Sequence, residues 1–188
     1  MPMFEVIKPG LETSVQDWPG RYGYWNQGFP PSGPMDSWSF RLGNILVGNE
    51  PGMAALECQY IGPSLKFQRD SVIALTGADM QAKVEGELCP MWESIPISSG
   101  QTLELAFASQ GARGYITIAG GIAVEPLLGS RSTFHKAGVG GMAGSAIKVD
   151  QVVPVGEGKG RAGRRVKEAA RPVFSTDKRW EIEAVAGP

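Results

Sequence analysis

The chain has 188 residues, enough for one domain with a sizeable core. Its 18 basic and 19 acidic residues leave a net charge of −1, so no basic excess points to nucleic acid or to an anionic membrane surface. Two cysteines, Cys58 and Cys89, are too few for a disulfide scaffold, and with the single His135 they compose no metal-ligand motif. Both are expected as free thiols, and no metal is expected. There is no transmembrane run, and the first residues lack the basic-then-apolar pattern of a signal peptide. The reading is a globular cytoplasmic protein with neither membrane nor nucleic acid as partner.

In chain order, residues 4–8 read as a short strand. Residues 13–44 then hold four prolines, five glycines and three tryptophans. Pro19, Pro30, Pro31 and Pro34 fix φ and remove donors, so most of this stretch is expected to be an ordered loop. Trp18, Tyr22, Tyr24, Trp25 and Phe29 supply the area to hold it in place. Gln16, Asp17 and Arg21 flank the tight turn at Trp18-Pro19-Gly20. Either their heads converge on a ligand, or Asp17 and Arg21 pair to lock the loop.

Asp36 reads as the N-cap of a helix over 36–48, with Gly48 as its terminator. Trp38, Leu42, Ile45 and Leu46 fall on one apolar face. Ser32, Gly33 and Met35 stand just before the cap, where free N–H groups and the positive helix end suit a carboxylate. Arg41 and Asn44 lie off the apolar face and are expected to hold carbonyls of the loop.

Short candidate strands follow at 54–60, 64–68, 71–75, 81–85, 102–108, 114–119 and 146–149. Gly62-Pro63, Gly77, Gly86 and Gly100 punctuate them, a pattern that predicts a closed or nearly closed β-barrel. Asp79 either faces a pocket or closes a turn. The glycine run at 137–144 is followed by neither Lys-Ser nor Lys-Thr, so it reads as a turn and not as a phosphate cradle. His135 reads as solvated, with a proton shuttle as the alternative. Residues 156–170 are glycine- and charge-rich and read as a solvated linker, with Arg161, Arg164, Arg165 and Lys167 on a solvated face. Residues 179–185 return to strand alternation, with Trp180, Ile182 and Ala184 on one side.

The polar residues of the first loop fall in a fixed order. Thr13, Val15, Gln16 and Asp17 form T-x-V-Q-D; Gly20, Arg21 and Gly23 form G-R-x-G; Pro30, Ser32, Gly33, Met35 and Asp36 form P-x-S-G-x-M-D. Arg41, Leu42 and Asn44 then give R-L-x-N, and Val47, Gly48 and Asn49 give V-G-N. Later come AGGI at 119–122, GSRST at 129–133 and a G-x-G-G stretch within 137–144. This set resembles the biotin-dependent carboxyltransferase family labelled allophanate hydrolase subunit 2. That family includes part of the carboxyltransferase region of urea carboxylase and urea amidolyase, and a stand-alone subunit of 5-oxoprolinase. The wording DWPGR, YW and PPSGPMD is more similar to the urea carboxylase branch. Ser145 stands where the family commonly has Arg, and Val149-Asp150 replaces its usual Gly-Asp.

The resemblance implies a mainly β, cyclophilin-like β-barrel with one short helix near 36–48. It implies a carboxyltransferase subdomain over 1–156, a linker over 157–178, and at 179–188 the first strand of a second subdomain, whose contact surface on this chain should be an exposed apolar patch. The implied function is part of the carboxyltransferase component of a biotin-dependent urea carboxylase, carrying carboxylate from carboxybiotin to urea to form allophanate. The alternative is a component like the stand-alone 5-oxoprolinase subunit, or a non-catalytic regulatory or binding module of a partner complex. Biotin would sit on a separate domain or subunit, and ATP would act only at a separate carboxylase module. Implied partners are a second carboxyltransferase subdomain or subunit and the biotin carboxylase and biotin carrier regions. Gln16, Asp17, Arg21, Ser32, Gly33 and Asp36 are the candidate substrate-binding residues; no catalytic residue is assigned. The isolated chain is expected to be inactive on urea.

Overall fold

Two antiparallel sheets and one helix make up this computed structural model, which describes residues 3–175, 177 and 179–187. The strands are β1 (Met3–Lys8), β2 (Thr13–Gln16), β3 (Ala55–Gln59), β4 (Ser64–Phe67), β5 (Ser71–Asp79), β6 (Lys83–Val84), β7 (Glu87–Leu88), β8 (Ser94–Ile97), β9 (Thr102–Glu104), β10 (Gln110–Ile118) and β11 (Val152–Pro154). The helix α1 spans Ser37–Val47. One sheet has the order β11-β1-β4-β9-β6-β7 and the other β2-β3-β10-β5-β8. Phe4, Val6, Leu65 and Leu103 of the first sheet share one buried cluster with Leu56, Ile73, Ile116 and Ile118 of the second.

Of the closed or nearly closed barrel expected, the closed form is corrected. Among the described residues no strand ladder joins the two sheets, and irregular segments take up the edges instead. Thr133 and Ile147 donate their N–H groups to Val15 and Thr13 along β2, and Ala123 donates to Pro154 along β11. Glu93, beside β8, bridges to Arg165. β8 tolerates Pro96 because it is an edge strand, with no neighbouring strand on its outer side to receive an N–H at that position. β5 and β10 are each nine residues long, well beyond the expected runs. β2 lies inside the stretch read as loop, and no strand forms at 146–149; the chain pairs at β11 just after it.

Both helix caps form as expected. Asp36 Oδ1 accepts from the N–H groups of Trp38 at 3.1 Å and Ser39 at 3.0 Å, and Gly48 ends the helix at φ 85°. The buried face differs from the expected one. It comprises Ser39, Phe40, Gly43, Asn44, Leu46 and Val47, while Trp38 is 52 % and Ile45 41 % exposed. Gly43 sets this rotation. A Cβ there would stand 2.9 Å from both Thr117 Cγ2 and Thr76 Oγ1, so the helix backbone lies directly on β10 and β5. Thr76 completes the contact by donating its hydroxyl to Ser39 O at 2.8 Å.

The segment read as a linker is tied down along β8. Ser94 N–H donates to Arg164 O at 2.9 Å, Val166 N–H to Trp92 O at 3.0 Å, and Arg165 pairs with Glu93 at 2.6 Å. Val166 is buried, and the Trp38 indole donates to Ala170 O at 2.8 Å. Among the described residues of 179–187 no strand forms, and Trp180 and Ile182 are exposed. No helix among the described residues is long and apolar enough to cross a membrane.

Candidate functional site

β2 carries Gln16 to the start of the motif loop, and the next residue anchors it. Asp17 accepts from Ser130 Oγ at 2.6 Å, from Ser132 Oγ at 2.6 Å and from Arg131 N–H at 2.7 Å. Arg21 is fully buried and donates from Nε to Leu127 O at 3.1 Å and from Nη2 to Ser132 O at 2.9 Å. The expected Asp17–Arg21 pair is therefore corrected: among the described residues they form no ion pair, and each instead holds the 127–132 segment. Three neutral donors surround the Asp17 carboxylate, and two carbonyls face the Arg21 guanidinium. Arg21 Nη1 is buried without a partner among the described residues.

The glycine run makes room for this anchoring. At Gly140, with φ 72°, a Cβ would strike Ser132 O at 2.1 Å and approach Arg21 Nη2 to 3.0 Å. The run is thus a packed turn against 132–133, as expected, and not a phosphate cradle. His135 lies at the surface, 3.6 Å from Glu12 Oε1. Asp79 closes a turn, its Oδ1 accepting from Gln81 N–H at 2.8 Å.

The second half of the loop is held by Gln16 and by two residues that the sequence reading missed, Glu57 and Tyr115. Gln16 Oε1 accepts from Gly33 N–H at 3.0 Å, and its Nε2 donates to Ser14 Oγ at 3.0 Å. Met35 N–H donates to Glu57 Oε2 at 2.7 Å, and Asp36 N–H donates to the Tyr115 hydroxyl at 2.8 Å. The Tyr115 hydroxyl in turn donates to Glu57 Oε2 at 3.0 Å; the two residues are register partners on β10 and β3. Burial, with the nearby Glu57 charge, pushes the Tyr115 phenol above its ordinary range, which keeps it a donor. The available signal was a lone glutamate in the apolar strand Ala55–Gln59.

The other motif residues also have defined partners. Arg41 lies over the Trp18 ring at 4.4 Å from its centroid. Asn44 Nδ2 donates to Met53 O at 2.8 Å, a carbonyl that follows the helix, so against expectation neither it nor Arg41 holds a carbonyl of the motif loop among the described residues. Asn49 Nδ2 donates to Asn44 Oδ1 at 2.9 Å and its Oδ1 accepts from Gly120 N–H at 2.9 Å. The V-G-N and A-G-G motifs are thereby joined.

Gln16, Asp17, Gly33 and Asp36 meet in one scaffold with their polar groups engaged inside the chain, Arg21 is engaged through two of its three nitrogens, and Ser32 sits in it at φ 57°. A ureido ring bearing a carboxylate asks for donors toward its oxygens and for flat apolar walls. Walls are available, since Tyr22, Trp25 and Met35 are each more than 60 % exposed on the loop. Arg21 Nη1, left over in the motif, is a donor without access to solvent.

The fold agrees with what comparison with known proteins finds. The chain belongs to the family described as the carboxyltransferase domain, subdomain A and B, which matches residues 27–188. It is 38 % identical over 189 residues to the urea amidolyase of Saccharomyces cerevisiae, covering 98 % of this chain and 10 % of that protein. It is 36 % identical over 157 residues to a 5-oxoprolinase subunit of Escherichia coli, covering 84 % of this chain and 50 % of that one. The crystal structure of the Kluyveromyces lactis urea carboxylase superposes with a TM-score of 0.88 at 39 % identity, over 94 % of this chain and 16 % of that one. The chain thus spans between a tenth and a half of the length of these relatives.

Proposed function

We propose that this chain forms part of the carboxyltransferase component of a biotin-dependent urea carboxylase, in which carboxylate passes from carboxybiotin to urea to give allophanate. The observation that carries this reading is its likeness, over nearly its whole length, to urea carboxylase and urea amidolyase. Biotin, borne on a separate carrier domain or subunit, would supply the transferable carboxylate, and ATP would be used at a separate carboxylase module. In this reading Gln16, Asp17, Arg21, Ser32, Gly33 and Asp36 act as positioning residues. They fix the backbone of the loop, so that its exposed aromatic face forms one rigid wall of a site completed by a second carboxyltransferase subdomain. A cyclophilin-like architecture, a subdomain over 1–156 with a second beginning near 179, and a cytoplasmic setting belong to the same proposal. The alternative, a component like the stand-alone 5-oxoprolinase subunit, is supported by the 36 % identity to that protein over 84 % of this chain.

The test is to assay the two half-reactions separately in an assembly holding the biotin carboxylase, the carrier and both carboxyltransferase parts. Urea-dependent ATP cleavage supports the proposal. A large preference in kcat/KM for 5-oxoproline over urea moves the chain to the alternative.

A further inference from the structure

The stretch read as a linker carries Val166, Ala170 and Phe174 at a spacing of four, and all three pack to one side. They join a small cluster with Leu46 and Val47 of α1 and with Ala74, Trp92 and Ala119. Residues 164–174 form a strap that follows α1 from end to end. At its start Arg164 Nη1 lies 3.9 Å from where a Cβ would stand on Gly48, the residue that ends the helix. Ala170 O then accepts from the indole N–H of Trp38, in the first turn, at 2.8 Å. Past the helix Phe174 reaches β10, its Cε1 3.3 Å from where a Cβ would stand on Gly111. Gly43 of α1 lies on Thr117, the Asp36 N–H ahead of α1 meets Tyr115, and Gly111 continues β10 in that direction. The chain beyond 174 therefore leaves at the end of α1 where the motif loop enters.

Trp38 stands at this junction. Its backbone N–H is capped by Asp36 of the motif at 3.1 Å, and its indole holds the strap, so one residue ties the two together. The strap is also closed on itself. Arg171 donates from Nε and Nη2 to Val166 O at 3.2 and 3.0 Å and from its backbone N–H to Glu168 O at 2.9 Å, while Val166 N–H donates to Trp92 O at 3.0 Å. A flexible spacer of the same length would let its ends wander, whereas these bonds leave one path. We propose that Trp38 is a positioning residue that, through the strap, fixes where the chain beyond 174 stands relative to the motif loop. The proposal rests on the carboxyltransferase reading in one respect: there, the chain beyond the strap leads to the second subdomain, and the strap sets the gap across which carboxylate passes.

Spin labels test the positioning without turnover. Ile45→Cys on the exposed face of α1 and Val173→Cys on the strap supply the sites, in a Cys89→Ser background, since Cys58 is buried. One narrow label distance is expected in this parent. Trp38→Phe keeps a ring and loses only the donor; with Arg171→Ala it should turn that distance into a broad distribution. A broad distribution in the parent, or a narrow one in the double variant, overturns the proposal. In the full assembly the double variant, without labels, should lower kcat for carboxylate transfer about tenfold or more, since a displacement of about 1 Å can cost about 100-fold. KM for the acceptor and the carboxylation of biotin should hold, as loss of folded protein would lower both half-reactions. Transfer at the parent rate also overturns the proposal. A parent assembly without transfer overturns the carboxyltransferase reading instead, and the label distances then decide the role of Trp38 alone.

Discussion

The Tyr115 hydroxyl stands 3.0 Å from Glu57 Oε2 across the β10–β3 ladder, and these two atoms receive the backbone N–H groups of Asp36 and Met35. A buried phenol and carboxylate thus hold two consecutive amides just ahead of α1. The loop enters the helix at a position set by the sheet and not by its own turn chemistry.

Tyr115→Phe should therefore leave Asp36 N–H and part of the Glu57 carboxylate unsatisfied, lowering unfolding free energy by about 1–3 kcal/mol. Glu57→Gln keeps an acceptor for Met35 and should cost less than Glu57→Ala. Denaturant unfolding ranks the three. Equal loss in Glu57→Gln and Glu57→Ala would mean that charge, not the hydrogen bond to the loop, is what counts.

Arg21→Ala should lower stability by about 2–4 kcal/mol, because it strips Leu127 O and Ser132 O of their donor and opens a cavity. Limited proteolysis should then cut within 127–144 first. An unchanged melting temperature would contradict the anchoring role and, if ligand binding were lost, would make Arg21 a ligand contact.

Gly43→Ala would raise helix propensity by about 1 kcal/mol but drive a methyl into Thr117 and Thr76. Overpacking costs of about 1–3 kcal/mol should prevail, giving a net loss. Adding Thr117→Ser removes the struck Cγ2 and should recover part of it. A stabilised single variant would show that the helix can lift off the sheet freely.

Stability should fall with rising pH in the alkaline range. Burial pushes the Cys58 thiol from 9.0 up to about 12, and the Tyr115 phenol is also raised. The folded state thus keeps protons that the unfolded state releases. Their contribution is fully present below the unfolded pKa and is lost above it, at about 1.4 kcal/mol per pH unit for each group. Cys58→Ala should flatten the slope between about pH 9 and 11 by one such group. An unaltered slope would place the alkaline loss elsewhere.

What was legible in the sequence was mostly local. Asp36 and Gly48 bound the helix because capping involves neighbours within a turn, and both formed as read. The buried helix face was not legible. Ser39 and Asn44 are buried although polar, with Ser39 O met by Thr76 and Asn44 bonded to Met53 O, contacts made only after folding. Asp17 and Arg21 look like a local pair, yet their partners lie more than 100 residues away. Closure failed to follow from strand count because segments such as 133 and 147 cover the edge of β2 without being strands. The candidate residues were found through their motif. The motif did not say whether each would face a ligand or hold the loop, and Glu57 and Tyr115 belong to strands that carry no such signature.

The measurement closest to the central proposal is transfer of labelled carboxylate from carboxybiotin to urea, in the full assembly, with Gln16→Ala and Ser130→Ala/Ser132→Ala variants that release the loop. Transfer should fall at least tenfold, about 1.4 kcal/mol in the barrier, with ATP-dependent carboxylation of biotin unchanged. Transfer at the parent rate in all variants, or loss of both half-reactions together, would contradict it.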